Sequence, residues 1–415
     1  ETLAPGDTFV LPSRYLKKSS PRVRGYFPQA AFDPDRCEQI DVTDDGYIPG
    51  ASFRTLLTRR PESNLMYAKM HYIHILVNQI RGDKYRKQLA REELWRGQCH
   101  AAYWKGGLAG GIYSNRLRKQ VYASLIEAEK VTREKGIFSP SIITVDFDMD
   151  GLSEFLYQGQ EINAYVHKQG GVIFELDYLP VPWNYGDSLA ENAVGAGASD
   201  NGVAAVPVVH SRDLFVDHFF DEPVVSATVE NADSERGDFT GRLYSVRQLS
   251  KDGHKIHLAA FGNVVDGRSG RPVPVEIHKE YGFEGATIHL TYRLRNRGTD
   301  ALQTNFASEI NLSLGGNDEE ALRILAGRGS GAMLSRDAAD WVDGVDSVRI
   351  YDLHNDVLLL LNYDDATGLS SAPVEVGAKA VSAPYQASRF LPQWHLELEP
   401  GAEWTQKISL AVVAE

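Results

Sequence analysis

Aromatic, cationic and imidazole side chains crowd into one short stretch, residues 95–106. The stretch reads Trp-Arg-Gly-Gln-Cys-His-Ala-Ala-Tyr-Trp-Lys-Gly, which brings two indoles, a phenol, an imidazole and two cations together between glycines. Sugar rings bind to such sets because their C–H groups pack on aromatic faces while their hydroxyls need hydrogen-bonding partners. A buried corner between two helices uses the same residue types. Composition therefore leaves sugar binding and core packing equally open.

The acidic run that begins at Asp146 is a second candidate. Asp146, Asp148 and Asp150, followed by Gly151, copy the opening of a calcium-binding loop. Tyr157 stands where that loop needs its bidentate Glu. An acidic Asp-Gly turn between two strands is the favoured interpretation, and we predict no metal site from the sequence.

Other candidate motifs are incomplete. The glycine-rich residues 106–111 lack the Gly-Lys-Ser/Thr ending of a phosphate-binding loop. The nearest histidine pairs, His71 with His74 and His254 with His257, have no third ligand at metal spacing. We predict no cofactor and assign no catalytic residue.

Three helices are predicted to position the aromatic stretch. The first follows Pro61 with a cap at Ser63 or Asn64, and its apolar residues recur at helical spacing: Met66, Met70, Ile73, Val77 and Ile80. The second covers residues 85–96. The third stops near Gly136 and has one apolar face, formed by Leu117, Val121, Leu125 and Ala128. Short connections between the helices indicate a small bundle.

Beyond Pro140 the hydrophobic period changes from the helical value to two, as in Ile288, Leu290, Tyr292 and Leu294. Strand-like runs recur between turn residues, at residues 162–166, 172–178, 243–246, 348–351, 357–361 and 394–398. We therefore predict a multi-domain α + β protein. Its parts are an irregular lead-in at residues 1–60, a three-helix bundle at 61–138 and a large antiparallel β-sandwich at 139–415.

Composition restricts the possible partners. The 415 residues are 43% hydrophobic and 24% charged, which is enough apolar content for a sizeable core. The net charge of −13 opposes binding to nucleic acid and to anionic membranes, and no apolar run has the length of a membrane span. Two cysteines are too few for a disulfide framework, so we predict a reducing, cytoplasmic location.

Residues 98–106 resemble the Gln-Cys-Asn-Asp-Ala-Tyr-Trp-His-Gly signature of glycoside hydrolase family 57, which contains α-amylases and 4-α-glucanotransferases. The resemblance extends over residues 45–415. Its further matches lie at residues 60–64, 110–113, 125–129, 146–151, 170–177, 217–219, 238–239 and 309–314.

The resemblance implies a helical segment that leans over the active site of a barrel and stacks an indole on glucose. Tyr103 and Trp104 match the family signature, whereas His100, Ala101 and Lys105 replace its Asn, Asp and His. A lysine can still donate a hydrogen bond to a sugar hydroxyl. We therefore predict that Tyr103, Trp104 and Lys105 face the sugar.

Family members begin with a (β/α)₇ barrel that supplies a His-Gln-Pro segment, a nucleophilic Glu and an acid/base Asp, and no residues here match these. Glycosidic chemistry by double displacement needs two positioned carboxylates. The favoured prediction is a non-catalytic helical and β-sandwich part of an α-glucan-acting enzyme, with an α-glucan or malto-oligosaccharide as ligand. A catalytic barrel or another subunit is its expected protein partner.

Two alternatives remain open at this stage. One is a non-enzymatic scaffold or interaction protein derived from the family. The other is a mutarotase-like sugar-binding protein, because the family's sandwich is similar to galactose-mutarotase-like supersandwiches that use His and Glu on the concave face of a sheet. The residues considered for that role are His167, His210, His278 and Glu276.

Overall fold

The computed structural model describes residues 31–32, 50–51, 57, 61–103, 111–112, 114–134, 136–189, 213–225, 234–315, 321–329, 331–375 and 385–414. The chain folds as two compact units, Glu1–Asn64 and Leu65–Glu415. Most of the predicted lead-in at residues 1–60 lies outside the described residues. Within them, the first unit contains a short antiparallel pair, β1 (Ala31–Phe32) and β2 (Gly50–Ala51). The division of the chain at residues 60 and 138 stays a prediction.

Three α-helices occur in the described part of the chain. They are α1 (Pro61–Gln79), α2 (Lys84–Gly97) and α3 (Asn115–Thr132), and a 3₁₀ turn covers His100–Ala102. The predicted cap at Ser63 or Asn64 is wrong, since α1 already begins at Pro61, where the fixed φ of proline favours the first helical position.

The starts of the next two helices follow capping chemistry. The Asp83 carboxylate accepts a hydrogen bond from the Arg86 backbone N–H at 2.8 Å, and the Ser114 hydroxyl accepts one from the Leu117 N–H at 3.4 Å. These acceptors satisfy N–H groups that lack partners inside the helix. Local side chains thus fix where α2 and α3 begin.

The predicted apolar faces are buried together. Met66, Ile73 and Val77 of α1 are fully buried and share a core with Leu94 of α2 and Leu125 of α3. The prediction of three packed helices is therefore confirmed for the described residues.

Two large antiparallel sheets follow the helices. The first consists of β3 (Ser141–Val145), β4 (Glu154–Gln158), β5 (Ile162–Val166), β6 (Ile173–Tyr178), β7 (Trp183–Asn184), β8 (Leu214–Phe220), β13 (Leu302–Leu312), β16 (Asp340–Asp343), β19 (Gly368–Glu375) and β20 (Tyr385–Leu398). Within the described residues these form a ten-stranded sheet in the order β16-β19-β20-β13-β8-β6-β5-β4-β3, with β7 paired to β6.

The second sheet consists of β9 (Ser245–Ser250), β10 (Lys255–Val265), β11 (Pro272–Glu284), β12 (Thr287–Asn296), β14 (Leu322–Ala326), β15 (Ala332–Leu334), β17 (Ser347–Asp352), β18 (Val357–Tyr363) and β21 (Glu403–Ala414). Among described residues this nine-stranded sheet has the order β15-β14-β17-β18-β21-β12-β11-β10-β9. Three of its neighbouring pairs, β14 with β17, β18 with β21 and β21 with β12, join parts of the chain that are distant in sequence.

One apolar core lies between the two sheets. Alternate residues of β12, including Ile288, Leu290 and Leu294, point into it, as the period of two predicted. The predicted strand at residues 162–166 is confirmed in its exact bounds as β5, whereas β9 begins at Ser245 rather than at Leu243. The α + β sandwich prediction is confirmed. No helix in the described part of the chain is long and apolar enough to cross a membrane.

Candidate functional site

The aromatic stretch leaves α2 at Gly97 and is fixed at Tyr103. The Tyr103 hydroxyl donates a hydrogen bond to the Gly97 carbonyl oxygen at 2.7 Å, and the side chain is only 9% exposed. Burial raises the pKa of this phenol above its ordinary value, so it stays protonated and donates. This hydrogen bond therefore links the two ends of the segment formed by residues 97–103.

Gly97 is required by a close approach of α3. A Cβ atom at Gly97 would lie 2.5 Å from Leu125 Cδ2, which is well inside van der Waals contact. The C-terminus of α2 thus packs directly on α3, and the start of the stretch has little freedom to move.

The structure describes one of the three residues that were predicted to face the sugar. Tyr103 is described and packs in the helical core, whereas Trp104 and Lys105 lie outside the described residues. Trp95, the other indole of the stretch, is 58% exposed near the end of α2. Tyr103 therefore anchors the described end of the aromatic stretch in the helical core.

A buried lysine joins α1 to the outer face of the ten-stranded sheet, the face turned away from the nine-stranded sheet. The Lys69 ammonium pairs with Asp177 of β6 and lies 3.5 Å from Glu175 and 3.8 Å from Glu129 of α3. Burial opposes its charge, yet the three carboxylates raise its pKa above the ordinary value. Burial also raises the pKa of Glu175, to about 8. Lys69 is consequently held as a cation.

Asn163 and Arg133 complete this network. The Asn163 amide donates to Asp177 at 2.9 Å and to Glu129 at 3.1 Å, while the Arg133 guanidinium donates to Glu129 at 2.7 Å. Despite burial, Arg133 and Lys69 hold the pKa of Glu129 below its usual value. Helices α1 and α3 are thus bound to β5 and β6 by buried charge.

A second attachment runs through Arg118 of α3. Its guanidinium contacts both oxygens of Asp187, at 2.9 and 3.1 Å, and donates to Gln386 of β20 at 2.9 Å and to the Ile112 carbonyl at 2.6 Å. The planar fork of arginine suits such a set of acceptors. Arg118 therefore links the helical core to two separate parts of the sandwich.

The outer face also carries a histidine between two carboxylates. His218 Nδ1 lies 2.7 Å from Glu235 and its Nε2 lies 3.3 Å from Glu309 of β13, which in turn accepts from Asn311 at 2.7 Å. His218 and Glu309 are 1% and 0% exposed. Burial opposes the charged imidazole, but hydrogen bonds to both carboxylates raise its pKa to about 9. At neutral pH this group is a buried cation.

A β-bulge sets the direction of these side chains. The pairing of β8 with β13 shifts between Glu309 and Ile310, and Phe215 adopts a left-handed backbone with φ of +68°. From the nine-stranded sheet, Lys279 of β11 contacts Asp217 at 2.9 Å and donates a hydrogen bond to the Phe215 carbonyl oxygen at 2.7 Å. The inter-sheet contacts of Asp217 therefore hold β8 while His218 points outward.

The residues considered for a mutarotase-like role do not form one site. His278 and Glu276 lie 3.0 Å apart on β11 in the nine-stranded sheet, with His257 next to His278 at 2.8 Å. His167 follows β5 in the other sheet, and His210 lies outside the described residues. Of these candidates in the described part of the chain, His278 and Glu276 are thus neighbours and His167 is separate from them; the structure also brings together His218 and Glu309.

Sequence reasoning missed the roles of His218 and Glu309. Both occur in segments, residues 217–219 and 309–314, that carried the resemblance, so their motifs were the available signal. Their pairing depends on β8 and β13 being neighbours, which local periodicity does not reveal.

Comparisons with known proteins agree on one enzyme family. The family profile described as alpha-amylase/4-alpha-glucanotransferase, middle domain, matches residues 51–132. The profile described as alpha-amylase/4-alpha-glucanotransferase, C-terminal, matches residues 208–408. The first profile includes the aromatic stretch, and the second includes most of the sandwich.

Individual relatives extend this agreement. Alpha-amylase 1 of Dictyoglomus thermophilum is 24% identical over 95% of this chain and 62% of its own length. The crystal structure of 4-alpha-glucanotransferase from Thermococcus litoralis superposes with a TM-score of 0.66 at 20% identity, covering 88% of this chain and 52% of that chain. The chain thus spans less than two thirds of either relative.

A galactose mutarotase-like protein from Lactobacillus casei aligns over 66% of this chain and 100% of its own, with a TM-score of 0.43 and 10% identity.

Proposed function

This chain belongs to the alpha-amylase/4-alpha-glucanotransferase family, of which it carries the middle and C-terminal domains, and we propose that it binds α-glucan for an enzyme of that family. The proposed ligand is a malto-oligosaccharide. In the proposal Trp104 and Lys105 face the sugar, and Tyr103, predicted from the sequence to face it too, positions them from the helical core.

The observation that carries this proposal is the anchored Tyr103. Its hydrogen bond to the Gly97 carbonyl and the packing of Gly97 on Leu125 fix the backbone that leads directly into Trp104. A preorganised segment loses little conformational entropy when a flexible glucan chain binds. Within the proposal, Trp104 stacks on a glucose ring, Lys105 donates to a hydroxyl, and Tyr103 positions both.

The same proposal assigns no catalytic residue to this chain. Hydrolysis or transfer of a glucan needs two carboxylates on opposite sides of one bond. Three of the buried acids of the outer face, Glu175, Asp177 and Glu309, each pair with a buried cationic side chain. We propose that a barrel supplies the catalytic pair, on the same polypeptide or on a partner, and that the protein acts in the cytoplasm.

A mutarotase-like activity is less well supported. It would need a histidine and a carboxylate that both contact the sugar. Among the candidates in the described part of the chain, His278 and Glu276 are neighbours, but Arg297 already pairs with the Glu276 carboxylate.

The test is Trp104→Ala, with maltoheptaose affinity measured by isothermal titration calorimetry. Loss of one stacking contact should weaken binding by at least about fivefold, because such contacts contribute roughly 1 kcal/mol. Trp95→Ala is the matched control, since it removes an exposed indole of the same stretch and should leave the affinity unchanged.

Two outcomes would count against the proposal. Equal affinities of the parent and Trp104→Ala would remove the stacking role. A parent protein that binds no maltoheptaose would contradict the glucan-binding function and favour the scaffold alternative.

A further inference from the structure

Four side chains outside the glucan-binding proposal converge at one end of the ten-stranded sheet. Asp148 and Asp150 lie in the turn between β3 and β4, Glu154 begins β4, and His167 follows β5. One ligand atom of each lies within 4.8 Å of the others. Three come from residues 148–154, but His167 comes from another hairpin, so the cluster depends on the fold.

Each carboxylate in the cluster uses one oxygen for the backbone. Asp148 Oδ1 accepts from the Asp150 N–H at 3.1 Å, and Asp150 Oδ1 accepts from the Leu152 N–H at 2.7 Å. Glu154 Oε2 accepts from the Phe147 N–H at 2.5 Å. These bonds fix the rotation of all three carboxylates.

The second oxygens turn toward a common centre. Asp148 Oδ2, Asp150 Oδ2 and Glu154 Oε1 lie 4.0, 3.5 and 3.4 Å from His167 Nε2. The Asp150 side chain is 34% exposed, whereas that of Glu154 is fully buried, so the group reaches from solvent into the protein.

Glu154 shows that this centre is short of positive charge. Its Oε1 atom is buried and has no hydrogen-bond partner among the described residues. A buried carboxylate oxygen without a donor is costly unless a cation compensates it.

His167 borders this centre without serving as a metal ligand. Its Nδ1 atom accepts a hydrogen bond from the Gln169 backbone N–H at 2.9 Å, so the neutral ring carries its proton on Nε2. A protonated Nε2 does not bind a metal. The cluster therefore offers oxygen ligands, which suit hard cations better than zinc or copper.

We propose that Asp148 Oδ2, Asp150 Oδ2 and Glu154 Oε1 bind one calcium ion. Oxygens up to 4.8 Å apart can share an ion whose ligand distance is about 2.4 Å. The smaller magnesium ion needs ligands closer together in near-ideal octahedral geometry. Water fills the remaining positions through the exposed side at Asp150.

The bound ion would have a structural effect. Phe147, beside Asp148, packs against Tyr72 of α1, Tyr165 of β5 and Phe174 of β6, with ring centroids 5.3 to 6.1 Å apart. Calcium at the turn therefore fixes the β3–β4 hairpin where it contacts α1. Glu154, at the ninth position counted from Asp146, replaces the missing twelfth-position ligand that had argued against a site.

The test is the melting temperature of metal-stripped protein with calcium chloride up to about 10 mM, against potassium chloride of equal ionic strength. We expect an increase of roughly 2 to 5 °C, with half of the effect at about 0.1 to 1 mM calcium. Magnesium should give a smaller increase at equal concentration.

Glu154→Gln is the decisive variant. The Gln amide oxygen can still accept from the Phe147 N–H, and the lost charge relieves repulsion, so the metal-free variant should melt no lower than the parent. The calcium-dependent increase should nevertheless disappear. Asp150→Asn, at the exposed edge, should reduce it, and Asp252→Asn, in an exposed Asp-Gly turn elsewhere, should leave it intact.

Three results would overturn the assignment. They are a parent protein whose melting temperature ignores calcium, an increase that persists in both Glu154→Gln and Asp150→Asn, and an increase seen with zinc but not with calcium.

Discussion

Adjacent residues of β8 carry buried charges to opposite sides of the ten-stranded sheet. Asp217 faces the nine-stranded sheet, where Lys279, Tyr244 and Tyr292 contact its carboxylate at 2.6 to 2.9 Å. His218 faces outward between two carboxylates. Because each charge is compensated locally, the strand tolerates both within the core.

The raised pKa of His218 makes the stability of the protein depend on pH. Its folded value of about 9 exceeds the ordinary 6.5, so the protonated ring stabilises the fold fully below pH 6.5. This contribution is lost as the pH rises through 9. The parent should therefore lose about 1 to 3 kcal/mol more than His218→Asn between pH 6.5 and 9, measured by urea unfolding.

The quantity to compare is the change in unfolding free energy with pH, not its absolute value, because His218→Asn will itself be less stable. His289→Asn, at an exposed position of β12, serves as the control and should follow the parent. Parallel pH profiles for the parent and His218→Asn would contradict the assignment of His218 as a buried cation.

At the scale of elements, buried charge acts together with apolar packing to attach the helices to the sheet. Lys69 of α1 pairs with Asp177 of β6, and Arg133, which follows α3, pairs with Glu129. Lys69 and both carboxylates are fully buried. Removing one partner of a buried network leaves the others unpaired, which costs more than the network contributes.

Lys69→Met should therefore destabilise the protein by about 3 to 5 kcal/mol, since Asp177 and Glu129 would lose a buried cation. Equilibrium urea unfolding measures this change. Lys130→Met provides the control, because Lys130 pairs with Glu127 at 2.7 Å where both side chains are partly exposed. Its effect should stay below about 1 kcal/mol. Similar losses for the two variants would show that the Lys69 network is not buried in solution.

At the scale of the whole molecule, the helices and the sandwich belong to one compact unit, Leu65–Glu415. Arg118 illustrates why, since a single side chain of α3 binds Asp187 after β7 and Gln386 in β20. In the glucan-binding proposal, this unit holds Tyr103, the residue before Trp104, on a rigid support.

The sequence predicted where the helices and strands of this unit lie better than it predicted which strands pair with each other. Apolar spacing identified α1 and β12 because burial on one face imposes a period on local sequence. The first turn of α1 was placed wrongly, since several residues near Pro61 can cap a helix. Sheet order was not predictable, because β6 pairs with β8 and β13 with β20 across long intervening segments.

The same limit applies to the polar clusters. Asp148 and Asp150 were visible as a motif, but His167 joins them only because β5 lies beside β4. His218 and Glu309 meet only through the pairing of β8 with β13. The family signature singled out Tyr103 as sugar-facing, which stays a prediction, whereas its hydroxyl bond to Gly97 follows from the path of the backbone after α2.

Hydrogen exchange with and without maltoheptaose tests the central claim most directly, because it locates the ligand in solution. Glucan binding at the aromatic stretch should slow the exchange of amides in residues 98–106, while amides of β13 stay unchanged. Protection confined to the sandwich, or no protection at saturating maltoheptaose, would contradict the account.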